Sequence, residues 1–65
     1  MENKQRIANL LADALRETRA GEDITTIDIK GEDAVVNFRN GYKKTVNIAC
    51  DSGLSMMRDI LNAIS

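Results

Sequence analysis

The sequence predicts a two-layer α+β sandwich of the order α-β-β-β-α, in which a three-stranded antiparallel meander sheet carries both helices on one face. Apolar residues recur at helical spacing near the two ends of the chain and with a period of two between them. Gly31-Glu32 and Asn40-Gly41 separate three β-rich runs. With 65 residues the chain forms one domain, residues 1–65, because it is too short to enclose two hydrophobic cores.

The first helix is predicted from about Glu2 to Arg19. Gly21 is expected to end it as a left-handed residue just beyond the helix. The opposite side of the helix is charged and should face water. The apolar stripe consists of Ile7, Leu10, Leu11, Ala14 and Leu15.

The three strands are predicted in the runs ITTIDIK, AVVNFR and YKKTVNI. Gly31-Glu32 suits a two-residue type II′ turn, because glycine at its first position tolerates a positive φ. This turn pairs Lys30 with Asp33 and, further along the strands, Thr25 with Phe38.

The Asn40-Gly41 turn allows two registers. A two-residue type I′ turn would pair Phe38 with Lys43, whereas a three-residue loop with a left-handed Gly41 pairs Phe38 with Tyr42. The apolar pattern favours the bulged loop, because a slip of one residue exchanges the two faces of a strand. The expected core face carries Thr25, Ile27, Ile29, Ala34, Val36, Phe38, Tyr42, Val46 and Ile48. The expected outer face carries Thr26, Asp28, Val35, Asn37, Arg39, Lys43, Thr45 and Asn47.

The second helix is predicted to start at an N-cap formed by Asp51 or Ser52. It completes the cover over the core face of the sheet. Its apolar stripe is expected to contain Leu54, Met57, Ile60, Leu61 and Ile64.

Composition excludes several classes of function. The chain has no histidine, one cysteine and a net charge of −1, and 43% of its residues are hydrophobic, so it reads as an ordinary globular protein. No nucleophile-base pair, zinc site or cofactor motif is recognisable, which argues against an enzyme. The amino terminus lacks a signal-peptide pattern and no segment is apolar enough for the membrane, so a cytoplasmic location is expected. Cys50 is expected to be a buried, inert thiol.

A cationic patch is predicted at the tip of the second hairpin. Arg39 and Lys43 share the outer face, and Lys44 lies at its rim. Together with the helix start at Ser52 and Gly53, these residues form a candidate site for an anion or a partner. The alternative is that the cations serve solubility and protect the edge of the third strand.

The first strand is predicted to be an open edge, since its run has high β-propensity and few lysines. Two copies would then pair antiparallel into a six-stranded sheet. The alternative is that the amino-terminal helix, or the loop of residues 21–23, masks this edge. The candidate dimer residues are Ile24, Thr26, Asp28 and Val35.

The order of the elements resembles that of the double-stranded-RNA-binding domain. That family has a Gly-Pro-x-His-like loop after its first strand and a lysine cluster at the start of its second helix. Here these positions carry Gly31-Glu32-Asp33 and Ser52-Gly53-Leu54-Ser55. Double-stranded RNA is therefore not an expected partner.

The run NGYKKTVNIACDSGLSMMRDIL is similar to small uncharacterised proteins of bacteriophages and prophages. The resemblance implies a compact protein that acts by binding, for example to a host factor. The expected function is therefore that of a non-enzymatic, dimeric protein that occupies a partner protein's surface. Two alternatives are capture of a nucleotide or another phosphorylated small molecule between subunits, and weak nucleic-acid binding.

Overall fold

The fold was analysed in a computed structural model, which describes residues 3–50 and 52–64. The three strands form one antiparallel sheet with the meander order predicted from the sequence. The first helix packs on the first strand, and the second helix contacts both the third strand and the first helix. The α-β-β-β-α sandwich is therefore confirmed. Its elements are α1 (Lys4–Leu15), β1 (Ile24–Lys30), β2 (Asp33–Phe38), β3 (Lys43–Asn47) and α2 (Gly53–Ile64).

Helix α1 is shorter than predicted. Its N-cap is Asn3, whose side chain accepts a hydrogen bond from the Arg6 N–H at 3.0 Å. Glu2, the predicted start, lies outside the described residues. The helix ends at Leu15 rather than at Arg19, because the chain turns and the Thr18 hydroxyl donates to the Leu15 carbonyl at 2.7 Å.

Gly21 has a different role from the predicted one. Among the described residues, only Gly31 and Gly41 have a positive φ, so the assignment of Gly21 as a left-handed helix stop was wrong. Gly21 is buried against the end of α1, and a Cβ atom there would lie 2.5 Å from the Leu15 carbonyl oxygen. Glycine is needed at this position because the backbone of the connection approaches the helix closely.

The β1–β2 hairpin has the predicted register near its turn. Lys30 pairs with Asp33, and Gly31 has a φ of 59°. The predicted pairing of Thr25 with Phe38 is wrong, because a bulge between Ile24 and Thr26 places Ile24 opposite Phe38. The extra residue, Thr25, is exposed, whereas Ile24 is fully buried in the core.

The β2–β3 hairpin confirms the three-residue loop. The Phe38 N–H donates to the Tyr42 carbonyl at 2.9 Å, and the Gly41 N–H donates to the Phe38 carbonyl at 3.0 Å. Gly41 has a φ of 89°, as the bulged loop requires. Val36 consequently pairs with Lys44, so the apolar residues of β2 and β3 share the core face.

Beyond the exchange of Thr25 for Ile24, the core differs from the predicted one in both helices and at Tyr42. In α1 the predicted stripe residues Leu10 and Ala14 are exposed, and Ala8 and Ala12 are buried instead. Tyr42 is 57% exposed, and its ring lies beside that of Phe38, at 5.5 Å between centroids. In α2 the inward residue is Met56 rather than Met57, and Leu54 and Leu61 are exposed. The buried hydrophobic residues are Ala8, Ala12, Leu15, Ile24, Ile27, Ala34, Val36, Ile48, Met56 and Ile60.

The start of α2 explains why the helix turns Met56 rather than Met57 towards the core. Gly53 is buried, so the first turn lies close to the sheet and the stripe that it shares with Met56 and Ile60 faces inward. Ser52 caps the helix, since its hydroxyl oxygen accepts a hydrogen bond from the Ser55 N–H at 3.2 Å. Asp51, the other predicted cap, lies outside the described residues.

Candidate functional site

The outer edge of β1 is occupied by side chains of α1. The Gln5 amide nitrogen donates to the Ile27 carbonyl at 2.9 Å, and the Gln5 amide oxygen accepts from the Ile29 N–H at 2.8 Å. Arg16 donates to the Thr25 carbonyl at 2.8 Å. Gln5 therefore makes the donor and acceptor contacts that an added strand would make. Of the two alternatives drawn from the sequence, the structure shows the one in which the amino-terminal helix masks this edge.

The predicted dimer residues on β1 and β2 have other partners. The Asn37 side chain donates to the Thr26 hydroxyl and to the Asp28 carboxylate, at 3.0 Å each. Val35 is half-buried between Asp28 and its β3 neighbour. Ile24 is fully buried on the core face, so this candidate dimer residue is not exposed to a second copy. The outer face is consequently a polar surface whose side chains already bind one another.

The structure brings only part of the predicted cationic patch together. Arg39 and Lys43 are exposed beside the β2–β3 loop, whereas Lys44 is half-buried on the core side of β3. Ser52 follows Ile48 in the sequence, after the chain has left the sheet. The Ile48 N–H donates to the Glu32 carbonyl at 2.8 Å, which places Ile48 at the opposite end of the sheet from the loop.

The helix start offers little to an anion. The Ser52 hydroxyl is engaged with Ser55, both with its backbone N–H and with its hydroxyl at 3.2 Å. Gly53 is buried. The expected anion site at residues 52–53 therefore coincides with an ordinary helix cap.

Cys50 is a free, exposed thiol, so the prediction that it is buried was wrong. Strand β3 ends at Asn47, and Ile48 is the last residue of the strand run to enter the core. Ala49 and Cys50 then lie in a turn outside the sheet. The apolar character of the run NIAC did not reveal where the strand stops.

The outer edge of β3 is open. In an antiparallel pair, backbone groups of successive residues point alternately to the two sides of the strand. Because Phe38 bonds Tyr42 and Val36 pairs with Lys44, the N–H and C=O groups of Lys43, Thr45 and Asn47 point away from β2. These three residues are exposed, and within residues 3–50 and 52–64 no hydrogen bond reaches their outward backbone groups.

The outer side of α2 carries an apolar groove that the sequence prediction had assigned to the core. Leu54 is 74% exposed and Leu61 is 41% exposed. With Ser55 and Arg58 they line a shallow groove of about 370 Å³. The Arg58 guanidinium lies 3.9 Å from the Asp59 carboxylate, a loose and exposed ion pair, so Arg58 keeps capacity for another acid.

The groove was missed because α2 has two overlapping apolar stripes. One contains Met56 and Ile60, and the other contains Leu54 and Leu61. Both satisfy helical spacing, and only the packing of the first turn on the sheet selects the inward one.

Two further findings concern the part of the chain that the structure describes. No group of three or more His, Cys, Asp or Glu side chains lies close enough there to hold a metal ion. Within the same residues, neither helix combines the length and apolar character needed to cross a membrane. Comparison with protein-family models, with curated proteins and with solved structures gave no significant match to this chain.

Proposed function

We propose that this protein is a small non-enzymatic binding protein that covers part of a partner protein's surface with the outer side of α2. The observation that carries the proposal is the exposure of Leu54 and Leu61 on one side of the helix. Leu54, Arg58 and Leu61 follow the i, i+4, i+7 spacing with which amphipathic helices enter grooves of other proteins. Single exposed leucines are common, but a groove bordered by two of them is a candidate contact surface.

The chemistry of α2 defines the expected partner. Leu54 and Leu61 fit apolar side chains, and the loosely paired Arg58 fits a carboxylate at the border of the same surface. The proposed partner therefore presents an apolar surface with an acidic rim. The resemblance to proteins of phages and prophages suggests a bacterial host factor, so the protein would act in the cytoplasm, where an exposed Cys50 stays reduced.

The composition of the chain supports a non-enzymatic role. The sequence contains no histidine, and Cys50 lies in an exposed turn without an identified base beside it in the described residues. The two alternatives, a site for a nucleotide-like anion and a nucleic-acid surface, gain no support, because Ser52 follows Ile48 at the opposite end of the sheet from Arg39 and Lys43.

The test compares capture of a partner by matched leucine variants. Bacterial extract is passed over the immobilised full chain, over Leu54→Asp and over Leu10→Asp, and retained polypeptides are identified and purified. Leu10 is the control, because it is 61% exposed on the other helix. We expect a polypeptide whose measured affinity falls at least about 30-fold with Leu54→Asp, the loss typical of a central contact residue. Leu10→Asp should leave the affinity within about threefold.

Two outcomes contradict this function. One is that every captured polypeptide binds Leu54→Asp as well as the unchanged chain. The other is that a nucleotide, rather than a protein, gives a large and saturable rise in the melting temperature. The second outcome would support the anion-binding alternative.

A further inference from the structure

We propose that two copies of this chain pair antiparallel through their β3 edges, about a two-fold axis at Thr45, and so form one six-stranded sheet. This inference does not depend on the function assigned to α2. It rests on the contrast between the two edges of the sheet. Gln5 and Arg16 occupy the β1 edge, whereas the described residues leave the backbone of Lys43, Thr45 and Asn47 exposed.

The register follows from the direction of the backbone groups. Only residues whose N–H and C=O groups point outward can exchange hydrogen bonds with a second copy, and these are Lys43, Thr45 and Asn47. An axis at Thr45 pairs Thr45 with itself and Lys43 with Asn47 of the second copy. Each of these pairs exchanges two hydrogen bonds, so all outward groups of the strand are used.

The side chains favour the same register. On the outer face, Thr45 meets Thr45 of the second copy, a favourable cross-strand pair, and Lys43 meets a neutral Asn47. On the other face, Lys44 lies beside Val46 of the second copy, where its aliphatic stem can pack. An axis at Lys43 or Lys44 would instead place two lysines opposite each other. Lysines on an edge strand generally disfavour pairing with another strand. Here Lys43 and Lys44 would disfavour only the registers that place each of them opposite its own copy.

The charges at the two ends of the sheet identify the occupant as a second copy. On the β2 and β3 side of the sheet, one end carries Arg39, Lys43 and Lys44, and the other carries Glu32 and Asp33. Antiparallel pairing brings the basic end of each copy beside the acidic end of the other. The backbone of Lys43 would lie two strands from that of Asp33 of the second copy, a distance of about 10 Å. The long lysine side chain brings its charge closer to the carboxylate. Lys30, the β1 residue that pairs with Asp33, lies one strand further from the new interface than Asp33 does.

Asp33 is also positioned for this contact. It lies on the outer face, where its carboxylate accepts a long hydrogen bond of 3.5 Å from the Asn47 side chain. Asn47 is the residue that the register places between Asp33 and Lys43 of the second copy. The three side chains would therefore form one row across the new interface.

Sedimentation velocity of the full chain tests the proposal. Because edge pairing of one short strand gives a small interface, the concentration is varied from about 1 to about 300 μM. The unchanged chain should shift from monomer to dimer over this range. Thr45→Pro removes the outward donor without touching the β2–β3 ladder and should weaken dimerisation at least about tenfold. Thr45→Val keeps the donor and should dimerise as the unchanged chain does.

A charge exchange tests the register and does not depend on the folding of the proline variant. Lys43→Glu should weaken dimerisation, and Lys43→Glu with Asp33→Lys should restore it at least partly. The proposal is overturned if the unchanged chain remains a monomer at about 300 μM. It is also overturned if folded Thr45→Pro dimerises normally, if the charge exchange restores nothing, or if Leu54→Asp alone abolishes the dimer. The last result would place self-association on α2.

Discussion

The side-chain oxygen of Gln5 accepts a hydrogen bond from the backbone N–H of Ile29 at 2.8 Å. The amide nitrogen of the same side chain donates to the Ile27 carbonyl at 2.9 Å. Two backbone groups that would otherwise form an open sheet edge are thus satisfied by one residue of α1. The sheet is left with a closed edge at β1 and an open edge at β3, and this asymmetry directs any strand pairing to β3.

Gln5→Ala should open the β1 edge. The variant loses two hydrogen bonds to the backbone, so we expect a decrease of about 1–2 kcal/mol in the free energy of unfolding. Amide exchange at Ile29 should become faster. The control is Asn9→Ala, which removes only the 2.9 Å hydrogen bond between Gln5 and Asn9. Unchanged exchange at Ile29 in Gln5→Ala would show that the bond is not formed in solution.

Gly21→Ala should destabilise the fold even though alanine is small. Its Cβ would lie 2.5 Å from the Leu15 carbonyl oxygen and 2.8 Å from the Leu15 Cβ, so the backbone must shift. Overpacking of this kind costs about 1–3 kcal/mol, which urea denaturation measures. Glu22→Ala, at an exposed neighbour, should change the stability by less than about 0.5 kcal/mol. Equal changes in the free energy of unfolding for the two substitutions would contradict close packing at Gly21.

Met56→Ala and Leu54→Ala should differ strongly. Met56 is fully buried and Leu54 is 74% exposed. Truncation of Met56 should lower the free energy of unfolding by about 2–5 kcal/mol. Truncation of Leu54 should change it by less than about 0.5 kcal/mol. The reverse order in urea denaturation would mean that α2 is rotated towards the orientation that its second apolar stripe predicts.

Cys50 should react rapidly with a thiol reagent in the native state. Because the residue is exposed, its rate should lie within about tenfold of that of the unfolded chain. Cys50→Ser should leave the free energy of unfolding within about 0.5 kcal/mol of the unchanged value. Strong protection of the thiol, relieved only by denaturant, would restore the buried position that the sequence suggested.

The sequence was sufficient for the sheet because two signals agreed there. The period-two apolar pattern agrees with the turn that Gly31 favours, and it selects one of the two registers that Asn40-Gly41 allows. Both predicted registers are present next to the turns. The bulge at Thr25 has no such marker. It arises where β1 leaves the helix connection, and it places Ile24 rather than Thr25 in the core.

The candidate surfaces were harder to predict because they depend on tertiary placement. The sequence does not distinguish Gln5 from the other polar residues of α1. Only the position of α1 over β1 lets its side chain bind the backbone of Ile27 and Ile29. In α2, two apolar stripes fit the helical period equally well, so spacing alone did not show that Leu54 faces solvent. Local patterns specify which element forms, whereas its rotation is decided by the surface against which it packs.

Amide hydrogen exchange as a function of protein concentration tests the contrast between the two edges most directly. The Ile29 N–H should exchange slowly at every concentration, since Gln5 binds it within one chain. The N–H groups of Lys43, Thr45 and Asn47 should exchange rapidly in dilute solution and slowly once the chain is concentrated. Fast exchange at these three residues at every concentration, or slow exchange in the dilute monomer, would contradict the account.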